Sequence, residues 1–396
     1  MNQTSSLTSS QSFDTFALRS LALLLVLQMT NTTVKSLMIE TDSDLITILL
    51  GAVFLIYLLL HLRQVKAVAI TQLLLLESLF VTLYMLSAIR YPEATQAISY
   101  RGGWTCLYCI PIGVLVFNMS QYTLLLSERL RIPMLILLLE GCLVFAVRTF
   151  EYADISGLQD YDMSIGYMLL YPACFFYYHV RSQKLYILPL VLSLFIIIVF
   201  GSRGPLLCFM SFVLLSFLRK QSLRKIGWLL FWGVLFLIFY INKEAIADSL
   251  FAFLEQMGIH SRTLYKMSQG VESAIYLSGR ELIWEETQQH IFEKPLWGWG
   301  ISGELSYMVT YPHSIYLEIL LHYGILFGGI ILIALTYLLV KAYFAKKIPY
   351  SILNVFLATG LVPLFLSSSY LIEYKVWILV ALCLKSLSIQ LSESRK

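Results

Sequence analysis

Residues 185–219, LYILPLVLSLFIIIVFGSRGPLLCFMSFVLLSFLR, contain two apolar runs that flank the turn GSRG, and one charged side chain, Arg203, lies in that turn. Each run approaches the roughly 17 to 25 residues that a helix needs to cross a bilayer. Similar runs recur along the whole chain of 396 residues, of which 58% are hydrophobic and 13% charged. A water-soluble core could not bury so much apolar surface, so we predict an all-α, polytopic membrane protein.

The apolar runs predict about twelve transmembrane helices. Their approximate bounds are 17–37, 45–62, 67–88, 104–120, 131–149, 163–179, 185–201, 205–219, 225–242, 313–340, 351–368 and 373–389. We expect a single membrane domain over residues 1–396, with one extracytoplasmic loop subdomain, 243–312, between spans nine and ten.

Charge in the short connections predicts the orientation, because Lys and Arg accumulate on the cytoplasmic side of membrane proteins. Every second connection is basic, whereas 38–44 and 150–162 are acidic and contain no Lys or Arg. Both termini are therefore predicted to be cytoplasmic, and the turn GSRG and the segment 243–312 to lie outside. The net charge of +4 reflects this bias and does not indicate nucleic-acid binding.

The outer loop contains two predicted helices. Residues 244–257 have the spacing of an amphipathic helix, which either rests on the membrane surface or packs on the other spans. In SGRELIWEETQQHIFEKPLWGWG, 278–300, Ser278 and Glu281 have the spacing of a capping box, which puts Arg280 in a first helical turn. A cation is disfavoured at a helix N-terminus unless an anion shares the site. The alternative is an ion pair with a neighbouring glutamate, Glu281, Glu285 or Glu286.

Two more basic residues are predicted at helix starts on the same side. Arg203 precedes Pro205 at the start of span eight, where snorkelling to lipid phosphates is the alternative. His313 lies in YPHSIYLEILLHYG, 311–324, in the first turn of span ten. Two guanidinium groups at helix N-termini suit a pyrophosphate, and a histidine can take a proton near neutral pH. The residues thus predict a lipid-pyrophosphate site on the outer face.

The chain resembles the O-antigen polymerase and ligase family of bacterial envelopes. The resemblance lies in an SRG turn, then GR followed by a tryptophan, a PLxGxG segment and an HSxYLE opening of the next span. These pieces are Ser202 to Gly204, Gly279-Arg280 with Trp284, Pro295 to Gly300, and His313 to Glu318. In many members of the family an asparagine follows the histidine, where this chain has Ser314.

The resemblance implies an inverting, metal-independent glycosyl transfer that needs no cofactor. An acceptor hydroxyl would attack the anomeric carbon of an undecaprenyl-pyrophosphate-linked oligosaccharide. Arg203 and Arg280 would bind and stabilise the leaving pyrophosphate, and His313 would orient the acceptor hydroxyl and remove its proton. Trp284, Trp297 and Trp299 would stack on sugar rings, unless they anchor the loop at the interface. Glu318 is assigned no catalytic role, and His260, His290 and His322 are interpreted as surface or packing residues.

The implied location is the bacterial cytoplasmic membrane, with donor and acceptor lipid-linked glycans, membrane lipids and a chain-length regulator as partners. We favour polymerisation of repeat units over ligation of the finished glycan to a lipid core or protein, because the outer loop is modest and no protein-binding module is appended.

Two other classes remain as alternatives. A metal-dependent glycosyltransferase would use the DxD pattern of Asp42 and Asp44, which also fits a solvated acidic loop. A lipid-linked oligosaccharide flippase would bury ionisable residues in the membrane, and Glu77 and Glu140 are the main candidates.

Overall fold

The computed structural model describes residues 2–37, 43–151, 163–200, 203–218, 243–256, 280–308 and 311–394, and its regular secondary structure there is helical, with no strand. The all-α prediction is therefore confirmed for these ranges. The α-helices are α1 (Asn2–Leu37), α2 (Ser43–Leu60), α3 (Ala67–Arg90), α4 (Thr95–Trp104), α5 (Ile110–Phe117), α6 (Arg131–Glu151), α7 (Met163–His179), α8 (Ile187–Val199), α9 (Arg203–Leu218), α10 (Lys243–Gln256), α11 (Arg280–Glu293), α12 (Ile315–Ala345), α13 (Tyr350–Phe356) and α14 (Tyr374–Ser394).

Five helices in the described part of the chain are long and apolar enough to cross a membrane: Ser10–Leu37, Ala67–Arg90, Glu128–Val147, Ile315–Ala345 and Tyr374–Ser394. Four shorter apolar helices, Ile46–Leu60, Lys184–Val199, Gly204–Phe217 and Tyr350–Phe365, coincide with further predicted spans. Helices α5 and α7 coincide with the predicted spans 104–120 and 163–179. The predicted span 225–242 lies outside the described residues, so the number of about twelve stays a prediction.

The chain divides into two compact units. The first comprises Met1–Leu27, Asp44–Arg131 and Gly279–Lys396, and the second comprises Gln28–Ser43 and Ile132–Ser278. The boundary between Ser278 and Gly279 falls inside the predicted loop subdomain 243–312. The predicted helix at 244–257 is present in the second unit as α10.

In the first unit, α14 packs against α5 and α12, and α11 packs against α12. Apolar side chains of α14 such as Ile378, Leu379 and Leu382 are buried in this packing. By contrast, only 11% of the spanning window of α3 and of α12 is buried. The exposed remainder is mostly apolar, and the hydroxyls of Thr82 and Thr336 on it donate to backbone carbonyls of their own helices. This suits a lipid-facing surface, because hydrocarbon offers no partner for a polar group.

In the second unit, α7 packs against both α8 and α9. Its aromatic residues form a large part of this core, since Phe175 and Phe176 are fully buried and Tyr177 packs edge-on against Phe212 of α9. A partly buried polar contact joins α1 to α6, where the Thr30 hydroxyl donates to the Glu140 carboxylate across 2.8 Å.

Candidate functional site

Helix α12 is broken near its start. Gly324 has φ 75° and ψ 173°, which separates a short segment, 315–323, from the long segment that follows. A break exposes backbone groups that an intact helix would satisfy. Here the segment PLWGWG, 295–300, satisfies them. The N–H groups of Trp299 and Gly300 donate to the carbonyls of Leu321 and His322 at 2.8 and 2.9 Å, and the N–H of Ile325 donates to the carbonyl of Pro295 at 2.6 Å.

Glycine is required on both sides of this contact. Gly298 and Gly324 have positive φ angles of 64° and 75°. A Cβ on Gly298 would lie 2.5 Å from the carbonyl oxygen of His322, and a Cβ on Gly324 would lie 2.5 Å from the carbonyl of Leu296. The glycines of the PLxGxG motif thus allow the loop backbone to reach the helix backbone directly.

A buried ionic cluster lies beside the break. Arg101 of α4 forms an ion pair with Glu304, and its guanidinium also lies 3.5 Å from the Ser302 hydroxyl. His322 of α12 lies 2.8 Å from the second oxygen of Glu304 through Nε2. Burial opposes ionisation of Glu304, but the charges of His322 and Arg101 outweigh it and lower its pKa to about 2. Because an ionised carboxylate can only accept, Nε2 of His322 carries the proton.

The cluster continues into the turn that precedes α14. Nδ1 of His322 is hydrogen-bonded to the Tyr370 hydroxyl at 2.8 Å, which lies 3.3 Å from the hydroxyl of Tyr323. The carboxylate of Glu318, one turn before His322, accepts a hydrogen bond from Ser369. Three separate connections therefore meet here: the segment around α4, the segment 295–308 and the turn 367–371.

Glu304, Glu318 and His322 also have the arrangement of a metal site, because one ligand atom of each lies within 4.8 Å of the others. In this structure the same atoms already have partners within the protein. Arg101 supplies a cation to Glu304, and Ser369 donates to Glu318. The donor set is thus used as an internal ion-pair network.

His313 lies just before α12, and the prediction that it belongs to the first helical turn is wrong. Its backbone is left-handed, with φ 54°, and Ser314 is the extended N-cap residue of α12. The first hydrogen bond of the helix starts at this residue, because the N–H of Glu318 donates to the Ser314 carbonyl at 2.9 Å. His313 therefore projects from the connection and not from the helix.

Arg280 is the first residue of α11, as the sequence predicted, and it acts on His313. Burial is the main cause that lowers the pKa of His313 to about 4, and the positive charge of Arg280 contributes. In the part of the chain that the structure describes, Arg280 forms no ion pair with Glu281, Glu285 or Glu286. Two of the predicted site residues are thus electrostatically coupled. Ser278 and Gly279 lie outside the described residues.

Arg203 is the first residue of α9, which agrees with its predicted place at a helix start. It belongs to the second unit, and its side chain and Ser202 lie outside the part that is described. The same holds for Asp42 and for the side chain of Asp44.

The three tryptophans have different environments. The indole N–H of Trp284 donates to the Pro312 carbonyl at 3.0 Å, and that of Trp299 donates to the His290 carbonyl at 2.9 Å. The Lys294 ammonium lies 3.2 Å from the centre of the Trp299 ring. Trp297 is 73% exposed and packs with one side on Phe327.

Sequence reasoning missed Arg101 and Glu304 altogether, and it considered Glu318 and His322 without assigning them to a common cluster. His322 is buried with both ring nitrogens bonded, so its interpretation as a surface or packing residue was incomplete. One available signal was Arg101, a basic residue on a connection predicted to lie outside, where Arg is uncommon. The spacing of Glu318 and His322, four residues apart, also places both on one helix face.

Comparison with known proteins gives one match. Residues 188–334 match the family model described as O-antigen ligase, and this range contains Arg203, Arg280, His313 and the PLWGWG segment. No curated protein and no solved structure matches the chain significantly. The family that the motifs resemble is thus also the one whose model matches this chain over residues 188–334, that of the O-antigen ligases.

Proposed function

We propose that the protein polymerises undecaprenyl-pyrophosphate-linked oligosaccharide repeat units by inverting, metal-independent glycosyl transfer on the outer face of the bacterial cytoplasmic membrane. The observation that carries this proposal is the coupling of Arg280 to His313. A guanidinium at a helix start, without an ion-pair partner among the described residues, disfavours the charged form of a half-buried imidazole. This arrangement suits a site that binds an anionic leaving group next to a base.

Contacts between connections that are assigned to the same side of the membrane support the proposed orientation. The segments around Arg101, Glu304 and Ser369 are three connections that the charge pattern assigns to the outer side, and they form one cluster. Conversely, Asp14 accepts the N–H groups of Ser120 and Gln121 at 2.9 and 3.0 Å. These residues belong to the N-terminal segment and a basic connection, which are both assigned to the cytoplasmic side. We therefore infer about twelve spans with both termini in the cytoplasm.

In the proposed reaction, the acceptor hydroxyl oxygen forms a bond to the anomeric carbon of the donor while the bond from that carbon to the pyrophosphate oxygen breaks. The electron pair of the broken bond stays on undecaprenyl pyrophosphate. Arg280 and Arg203 stabilise this charge, which grows in the transition state. The hydroxyl proton moves to His313, which later releases it to water.

Donor binding is also expected to change the pKa of His313. With a pKa of about 4 the imidazole of His313 is neutral at pH 7 before the donor binds, so it is ready to accept a proton but is a weak base. A pyrophosphate bound to Arg280 offsets the positive charge that disfavours protonation and raises the pKa of His313. The base thus becomes stronger when the donor is in place.

Aromatic side chains around the site suit sugar binding. Among Trp284, Trp297 and Trp299, Trp297 has the largest open face, and we propose that it stacks on a sugar ring. Trp284 and Trp299 line the same segment with their indole N–H groups bound to backbone carbonyls. Membrane lipids and a chain-length regulator are the further partners that we propose.

The acceptor distinguishes polymerase from ligase. We favour polymerisation because the outer segment 243–312 is short, and ligation to a lipid core or protein is the alternative. The test is to reconstitute the protein in lipid with undecaprenyl-pyrophosphate-linked repeat units and chelator. A ladder of longer lipid-linked glycans, lost in His313→Ala and in Arg280→Gln, is the expected result. Transfer only to an added lipid core or protein would identify a ligase, and no transfer to any acceptor would refute the proposal.

One observation favours a flippase as a second candidate. The cluster of Arg101, Glu304 and His322 lies beside a broken apolar helix, and transporters place binding sites at such breaks. Fluorescent lipid-linked oligosaccharide in vesicles tests this alternative. Protein-dependent movement across the bilayer without any glycan transfer would support the flippase.

A further inference from the structure

The backbone of His313 adopts a conformation that few non-glycine residues take. Its φ of 54° lies in the left-handed region. Such a conformation persists only where the surrounding structure holds it, and it is typical of functional sites. The contacts of the neighbouring residues therefore decide how the imidazole is presented.

The two residues before His313 are anchored to other elements. Directly before it, the indole N–H of Trp284 in α11 donates to the carbonyl of Pro312 at 3.0 Å. Two residues before His313, the Tyr311 hydroxyl donates to the carbonyl of Ser367 at 2.7 Å. The rings of Tyr311 and His313 lie 4.4 Å apart, with an angle of 54° between their planes. The imidazole is thus packed against a ring whose far end is fixed.

We propose that Trp284 and Tyr311 are positioning residues for His313: their hydrogen bonds hold the left-handed backbone, and the Tyr311 ring covers the imidazole. The inference rests on the proposed function, in which His313 takes the acceptor proton. It gives Trp284 a role through its N–H group that is separate from sugar stacking. Neither residue contacts the reacting atoms, so their removal acts through His313.

The first test uses two variants that each remove one hydrogen bond: Tyr311→Phe, which keeps the ring, and Trp284→Phe, which replaces the indole by a phenyl ring without an N–H group. Tyr316→Phe is the matched control, because this tyrosine on the next turn is 45% exposed and its ring packs on Phe365. In lipid nanodiscs with lipid-linked repeat units, we expect kcat to fall about tenfold in the two test variants, with the donor KM changed less than about twofold. The control should keep the kcat of the unmodified protein.

The second test removes the covering ring with Tyr311→Leu and follows the pH dependence of kcat/KM. Burial keeps the pKa of His313 near 4, against an ordinary value of 6.5. The charged groups that face this region are Arg280 of α11, Glu318 of α12 and Arg101 of α4, and all three are unchanged. Exposure of the imidazole should therefore move the acidic limb of the profile to higher pH, an effect that a general loss of stability does not produce.

The outcomes separate the two proposals. Inactivity of the unmodified protein with every acceptor would refute the proposed function. An active unmodified protein, with full kcat in Tyr311→Phe and Trp284→Phe, would overturn the inference alone. An acidic limb of kcat/KM that lies at the same pH in Tyr311→Leu as in the unmodified protein would also overturn the inference.

Discussion

His322 donates a hydrogen bond from Nε2 to the carboxylate of Glu304 across 2.8 Å, and both side chains are buried. The same carboxylate forms the ion pair with Arg101. We therefore expect Glu304→Gln to lower the stability of the folded protein by about 3 kcal/mol or more, because it leaves a buried guanidinium without its counter-charge. The measurement is the thermal unfolding midpoint in lipid nanodiscs. Glu293→Gln is the control, since Glu293 is exposed in its pair with His290 and its loss should change the midpoint little.

The acid stability of the protein should depend on Glu304. Its pKa is lowered from 4.5 to about 2, so the folded state holds this proton more weakly than the unfolded state. The contribution is fully present above pH 4.5 and is lost as the pH falls through about 2. Unfolding midpoints measured over this range should fall more steeply for the unmodified protein than for Glu304→Gln. Parallel curves would contradict the prediction.

Substitution at the break of α12 should be far more harmful than substitution one turn later. In Gly324→Ala the new methyl group would lie 2.5 Å from the backbone of Leu296, at a positive φ. We expect a loss of about 2 to 4 kcal/mol, which reflects both overlap and backbone strain. Gly329→Ala is the control, because a Cβ there meets nothing within 4 Å. In a helical position with open space for the methyl group, alanine should be neutral or slightly stabilising. Equal unfolding midpoints for the two variants would show that the close approach is absent.

The pH profile should report the coupling between Arg280 and His313. Without bound donor His313 becomes protonated only as the pH falls to about 4 and below, so the acidic limb of kcat/KM should lie close to this value and well below 6.5. The acidic limb of kcat, which reports the donor complex, should lie at higher pH, because the bound pyrophosphate offsets the charge of Arg280. In the residual activity of Arg280→Gln, the acidic limb of kcat/KM should lie at higher pH than in the unmodified protein. The three acidic limbs to compare are those of kcat/KM and kcat for the unmodified protein and that of kcat/KM for Arg280→Gln. If all three lay at the same pH, this coupling would be excluded.

The local features of the site could be predicted from sequence. Arg203 and Arg280 are the first residues of their helices, and the PLWGWG segment carries the glycines that its turn requires. These features depend on a few neighbouring residues, and helix starts and turns have composition signals of their own. The division into apolar spans was predictable for the same reason.

The ionic cluster could not be predicted, because its parts are distant in sequence. Arg101 and Glu304 are 203 residues apart, and no spacing rule connects them. The break at Gly324 was missed for a related reason. A single glycine is tolerated within a membrane helix, so 313–340 was predicted as one continuous span. What opens the helix is the docking of Trp299 and Gly300 onto its carbonyls, which is a tertiary contact.

The turn 367–371, which anchors Tyr311 and Glu318, has a consequence for biosynthesis. The ribosome makes this turn after α1 to α13, immediately before α14. A nascent chain that has already inserted Arg280 and His313 still lacks the carbonyl of Ser367 and the hydroxyl of Ser369. The proposed site is therefore held together only after this turn has been made. We expect nascent chains that end before the turn to be inactive.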